Sequence, residues 1–146
     1  MNLFSMLDVS ASALQAERQR AEVVASNLAN AETTRTPAGG PYRRKQVVFG
    51  ARQVGEMGFA QTLASFTEVR VPGVRVERVA TDPTPAVRRF DPSHPDADAQ
   101  GYVAFPAINP IEEIVDLMGA ARAYQLNVAA IQSTKAMITQ SLELLR

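Results

Sequence analysis

Cysteine is absent, which excludes disulfides and thiolate metal sites and leaves every compartment open, since exported proteins can also lack it. Neither sign of charge prevails: fifteen Lys and Arg balance fifteen Asp and Glu. No global field therefore draws the chain to nucleic acid or to an anionic membrane, and any such partner needs a local patch. No apolar run approaches the roughly 18 residues of a membrane span, so the chain reads as not membrane-spanning. The start, MNLFSMLDVSASAL, lacks a basic n-region and meets Asp8 before any long apolar run, which argues against ordinary secretion through a signal peptide.

Helix breakers are missing from both ends. All nine prolines lie between Pro37 and Pro110, and seven of eight glycines lie between Gly39 and Gly101, leaving only Gly119 outside. At 146 residues the chain suits one domain with one modest core, built as two long helices around a different middle. The N-terminal helix carries a 3/4-spaced series, Leu3, Leu7, Ser10, Leu14, Glu17, Ala21, Val24, Leu28 and Ala31. The C-terminal helix repeats the spacing through Ile114, Leu117, Ala121, Tyr124, Val128, Ile131, Lys135, Ile138, Leu142 and Leu145. Asn109 can cap this second helix, Pro110 suits its first position, and Glu112 and Glu113 complement the positive end of its dipole.

These patterns predict an α+β fold: long terminal helices paired as an antiparallel coiled coil, with a small β-rich middle domain. The divisions are 1–34, an N-terminal helix; 35–107, the middle domain with a basic loop; and 108–146, a C-terminal helix. The intrachain seam is expected at Leu14, Val24, Leu28, Ile114, Leu117, Tyr124, Val128, Ile131, Ile138 and Leu142. Within the middle, Tyr42 to Phe49 can be extended, Glu68 to Val76 reads as a hairpin turning at Pro72-Gly73, and Tyr102 to Phe105 is a short strand. Residues Val54 to Phe66 fit a helix or an ordered loop equally well. Phe4, Val23, Ile111, Val115, Met118, Met137 and Leu144 fall off the seams and invite packing against other helices.

Candidates for chemistry are few. His94 lies between Ser93 and Pro95 with no nucleophile-elbow pattern, so a turn histidine is the better reading. Asp96 to Gly101 imitates half a calcium loop, but its twelfth position is Ala107 where a bidentate Glu is required. Glu112, Glu113 and Asp116 have no histidine nearby and read as helix-start acids. The run Gly39-Gly40-Pro41-Tyr42-Arg43-Arg44-Lys45 is the most basic feature, yet its glycines lack phosphate-loop spacing. It can contact phosphates, but a solvated or partner-facing loop on a neutral chain is the better reading, so no nucleic acid is expected. No cofactor is expected either.

Three blocks in order then carry a resemblance. "ASNLANAETTRTPAGGPYRRK" (Ala25 to Lys45), "DPTPAVRRFDPSHPDADAQGYVAFP" (Asp82 to Pro106) and "INPIEEIVDLMGAARAYQLNVAAIQSTKAM" (Ile108 to Met137) resemble the flagellar basal-body rod proteins, in their proximal-rod branch. Departures are small: Ala107 where Asn is usual, Phe90 where Tyr is common, and an end without the usual glycine. Gly50 to Glu68 contributes little.

The resemblance implies a structural subunit without catalytic residues, part of the shaft that carries motor torque toward the hook. It further implies export, uncleaved, through the flagellar type III apparatus, and residence in the periplasm-spanning rod. Implied partners are other copies of the chain, other rod subunits and the export apparatus, with the MS-ring/rod-base adaptor and the rod cap as further candidates. Contacts with neighbouring subunits are expected at Asn27, Asn30, Thr33, Thr34, Arg43, Arg44, Lys45, Arg122 and Asn127. Two other classes stay open: a soluble export adaptor or chaperone, and a nucleic-acid-binding module using residues 39–45.

Overall fold

A computed structural model describes residues 3–52 and 72–144. Two helices flank four short strands: α1 (Leu3–Ala29), β1 (Lys45–Ala51), β2 (Val74–Thr81), β3 (Val87–Phe90), β4 (Tyr102–Phe105) and α2 (Pro110–Glu143). The architecture is α+β, with two long helices and two small sheets.

Helix α1 runs unbroken for 27 residues because nothing in it is Gly or Pro. Its inward line follows the 3/4 spacing: Leu3, Leu7, Leu14, Val24 and Leu28 are all at least half-buried. The helix stops at a local cap. The Asn30 side-chain amide donates to the Ser26 carbonyl at 2.8 Å, which also accepts from the Asn30 N–H at 3.1 Å, and its Oδ1 accepts from the Thr33 hydroxyl at 3.2 Å. Helix α2 begins at Pro110 as its sequence suggests, with the Ile111 N–H donating to Asn109 Oδ1 at 3.1 Å. Glu113, Ala120 and Thr134 are its most buried residues. Thr134 tolerates burial because its hydroxyl donates to the Ala130 carbonyl one turn back, at 2.9 Å.

β1 and β2 form one two-stranded sheet. Arg52 N–H bonds the Gly73 carbonyl just past one end, and Asp82 N–H bonds the Arg44 carbonyl at the other, which is an antiparallel order. Of the hairpin expected over 68–76, the first arm lies outside the described residues, as does the 54–66 segment; the second arm begins β2. β3 and β4 pair antiparallel in the register Val87 to Phe105 and Phe90 to Tyr102. β4 matches the expected strand. β3 escapes sequence reading because all four of its residues are exposed, which erases the alternation that marks a half-buried strand. Its order comes from pairing with β4 and from the edge-on contact of Phe90 with Tyr102, centroids 5.3 Å apart.

The described residues fall into two compact units. One holds 3–19, 49–52, 72–77 and 120–144; the other holds 20–48 and 78–119. In the first, the Val74 N–H donates to Ser12 Oγ at 3.0 Å while the Ser12 hydroxyl donates to the Val9 carbonyl at 2.7 Å, docking the start of β2 on α1. Gly73 is required there, since a Cβ would overlap Ser12 Oγ. In the second, Val103 of β4 is 1% exposed and anchors the small sheet. Gly101 precedes β4 at φ +80°, a conformation that glycine adopts without strain.

Candidate assembly interface

In the second unit, the last turn of α1, the entry to β1 and the first turn of α2 converge on one buried polar cluster. Asn27 is 1% exposed. Its Nδ2 donates to the Lys45 carbonyl at 2.8 Å and its Oδ1 accepts from the Lys45 N–H at 2.9 Å, the pattern a neighbouring strand would supply. The second Nδ2 hydrogen goes to Glu113 Oε2 at 3.0 Å, and Oδ1 also accepts from the Tyr42 hydroxyl at 3.2 Å. Two donors and two acceptor sites are thus all used, and the pairing with Lys45 defines which way the amide faces. The Ser26 hydroxyl, 3.3 Å from that of Tyr42, can donate to it in turn.

Glu113 is fully buried and receives a second bond on its other oxygen, from Arg44 Nε at 2.5 Å. The same guanidinium lies 3.5 Å from Asp116 and 4.0 Å from Asp82. Arg20 of α1 meets Asp116 at 3.3 Å. Burial disfavours the Arg44 cation, but the hydrogen bond and charge of Glu113, with Asp116 and Asp82 behind, more than offset it and hold the group charged above its ordinary value. Each Glu113 oxygen thus accepts one bond from a fixed donor, Asn27 or Arg44, and the arrangement joins three chain segments.

Outside this cluster, each helix shows solvent a continuous line. On α2 the line is apolar: Ile111, Val115, Met118 and Leu126 are 62 to 73% exposed, with Arg122 between them. On α1 every residue of the series Phe4, Asp8, Ala11, Gln15, Arg18, Glu22, Ala25 and Ala29 is exposed, at alternating steps of four and three.

Two family models match the chain, one described as "Flagella basal body rod protein" over residues 7–35 and one as "Flagellar basal body rod FlgEFG protein C-terminal" over residues 99–144. The chain is also similar, end to end, to proteins named flagellar basal-body rod protein FlgC. That of Borreliella burgdorferi is 38% identical across 100% of this chain and 99% of its own length. That of Bacillus subtilis is 39% identical with 99% of both covered, and that of Escherichia coli O157:H7 40% identical with 99% and 98% covered. The chain belongs to the flagellar basal-body rod protein family.

A rod-family chain is a structural subunit of the flagellar basal body and not an enzyme. Among the described residues no helix is long and apolar enough to cross a membrane.

Of the residues expected in this rod-family seam, Val24 is buried, while Leu14, Leu28, Leu117, Val128, Ile131 and Ile138 are half-buried. Ile114, Tyr124 and Leu142 are instead exposed. The buried line of α2 uses Glu113 in place of Ile114, Ala120 in place of Ala121 and Thr134 in place of Lys135. It is rotated by one residue at alternate steps, and the polarity of Glu113 and Thr134 hid it from a reading that follows apolar spacing.

Within the single chain, the residues expected to meet neighbours are placed as follows. Asn27 faces inward with all its hydrogen-bonding capacity spent within the chain, and Arg44 is drawn into the carboxylates of Glu113, Asp82 and Asp116. Asn30 and Thr33 close α1, and the Thr34 hydroxyl donates to Asp96 at 2.8 Å. Lys45 gives its backbone to Asn27 and rests its ammonium 5.7 Å from the Tyr42 ring centre. Asn127 is half-buried and donates to its own helix at Ala123. Arg43 and Arg122 are exposed, with no ion pair found among the described residues.

Two members of the cluster read differently in the sequence. Sequence pattern places Glu113 with Glu112 at the helix dipole; what separates them is that only Glu113 lies four residues before Leu117, on the inward line. Tyr42 reads as a residue of the basic loop. His94 sits in a turn, as expected, its Nδ1 accepting from the Asp96 N–H at 3.1 Å.

Proposed function

We propose that this chain is a proximal-rod subunit whose terminal helices pair antiparallel and assemble into the shaft that carries torque from motor to hook. The observation that carries the reading is the end-to-end likeness to FlgC proteins. Antiparallel pairing is supported by the order of the contacts: passing from Arg20 to Asn27 along α1, the partners step back from Asp116 to Glu113 on α2. Residues 1–34 and 108–146 then serve as the assembly elements and 35–107 as the middle domain carried beside them.

The chain reaches the rod through the flagellar type III apparatus without a cleaved signal, and meets other rod subunits and the rod-base adaptor there. Long helices with few buried apolar residues suit such a route. Ordering a backbone costs roughly 1–2 kcal/mol per residue, and Ala16, Val24 and Ala120 are the only apolar helix residues among those described that are buried in the single chain, so assembly supplies the remaining burial.

The test is recovery of the chain in purified basal bodies, together with Leu28→Asp, which places a charge on the inward line of α1 and should abolish both rods and swimming. A chain found only in the cytoplasm would favour an export adaptor, and normal motility of the variant would remove the seam.

A further inference from the structure

We propose that the free edge of β3 takes an added strand: an extended segment of a partner protein that sets a carboxylate opposite Arg89 and an apolar side chain opposite Phe90. The inference goes beyond the rod reading and rests on the small β3–β4 sheet alone.

The register fixes which backbone groups are free. The Asp91 N–H donates to the Gly101 carbonyl at 2.9 Å, just past the end of the ladder. Bonded and non-bonded pairs alternate along antiparallel strands, so Arg89 with Val103 and Val87 with Phe105 are the bonded pairs. Arg88 and Phe90 therefore turn their N–H and C=O away from β4. Tyr102, opposite Phe90, likewise turns its backbone away from β3, but there the groups are taken: its carbonyl accepts from the Asp98 N–H and its N–H donates to Asp98 Oδ1, both at 2.9 Å. The β4 edge is closed at that point by a turn. The β3 edge meets no further strand among the described residues, and every residue from 83 to 90 is exposed. Two residues that offer N–H and C=O toward solvent, two positions apart, are the template that strand addition uses.

Side chains select the occupant. Arg88 and Arg89 are the only charged residues between 83 and 90, and both are cations. In the register that pairs both free residues, a second copy of β3 would set Arg89 directly opposite Arg89, and like charges so placed repel. An acidic strand meets the opposite condition. Arg88 already pairs with Asp98, whereas the Arg89 guanidinium lies 4.5 Å from the centre of the Phe105 ring and has no ion pair among the described residues. On strand addition Arg89 occupies the non-bonded position of the new pair, where facing side chains come closest. The other face carries Phe90, 63% exposed and edge-on to Tyr102, which suits an apolar neighbour. Acidic and apolar residues in alternation satisfy both faces.

Fluorescence anisotropy with the full-length chain tests this. A short capped peptide of alternating valine and glutamate is expected to bind, and its valine–lysine counterpart is not. In the inferred register the valine N–H groups meet the carbonyls of Arg88 and Phe90. Methylating the valine nitrogens should therefore weaken binding about tenfold or more, while methylating the glutamate nitrogens leaves it intact. On the chain, Arg88→Pro removes an outward N–H without touching the ladder to β4 and should abolish binding, whereas Arg88→Thr keeps that N–H and should retain it. Arg89→Glu should transfer the preference to the valine–lysine peptide. Absence of binding by the valine–glutamate peptide, equal losses from the two methylations, or an unchanged preference in Arg89→Glu would each overturn the inference. The rod assignment stands in all three cases, because recovery of the chain in basal bodies does not depend on this edge.

Discussion

The Asn27 side-chain amide binds both backbone groups of Lys45, donating at 2.8 Å and accepting at 2.9 Å, so a helix residue takes the place of a strand neighbour at the start of β1. The same amide reaches Glu113 of α2. Removing it therefore affects both helices and the sheet that begins between them.

Asn27→Ala leaves the Lys45 N–H and C=O without their partner in a buried site. An unsatisfied buried group costs about 1–3 kcal/mol, so a loss of about 3 kcal/mol is expected in urea denaturation. Asn27→Asp should be worse, since it sets a second carboxylate against Glu113 and cannot donate to Lys45. An Asp variant as stable as the parent would contradict the geometry.

Arg44→Met strands the Glu113 carboxylate and should cost about 3–5 kcal/mol, whereas the pair Arg44→Met with Glu113→Leu should recover only part of that, because Glu113→Leu also takes the acceptor from the Asn27 amide. Buried ion pairs add little net stability but are expensive to break from one side. The check is a double-mutant cycle by chemical denaturation; additive losses would show that the two groups do not act as a pair.

Gly73→Ala forces a methyl group onto Ser12 Oγ and should lower stability by about 1–3 kcal/mol. Ser12→Ala in the same chain removes the clash but also the acceptor for the Val74 N–H, so the double variant should recover only part of the loss. Thermal melts of the three variants decide it.

Asp82, Asp91 and Asp98 are all held below the ordinary carboxylate value. For Asp82 the cause is the Thr84 hydroxyl and N–H, then Arg44; for Asp91 the Ser93 hydroxyl and N–H; for Asp98 the Tyr102 and Gln100 N–H groups, then Arg88. With folded values depressed, the unfolded chain takes up protons first as pH falls. Their stabilisation is complete above the unfolded value of about 4 and is lost as pH drops through the folded values. Urea midpoints should decline below about pH 4 on this account, and Thr84→Ala should flatten the decline by removing the largest cause at Asp82. A Thr84→Ala profile parallel to the parent would rule that bond out.

The isolated chain should show less helix by circular dichroism than the 27 and 34 residues of α1 and α2, and gain it on assembly. Full helicity with a cooperative melt in the monomer would overturn assembly-coupled folding.

The sequence by itself determined the two long helices, because excluding Gly and Pro and spacing apolar residues at three and four are local properties. It also determined the start of α2 at Asn109-Pro110 and the strand at Tyr102 to Phe105. The family was legible in the three blocks. Only the tertiary structure decided which of two adjacent glutamates is buried, what the Asn27 amide bonds, and that Arg44 turns inward while Arg43 stays out. A polar residue enters a protein interior only where partners satisfy it, and for Asn27 and Glu113 these come from distant segments. Those partners lie 18 and 86 positions from Asn27, and 69 positions separate Arg44 from Glu113, so no local pattern could announce them. The alternation that would have marked β3 was missing for a related reason, since its order comes from β4 and not from burial of its own side chains.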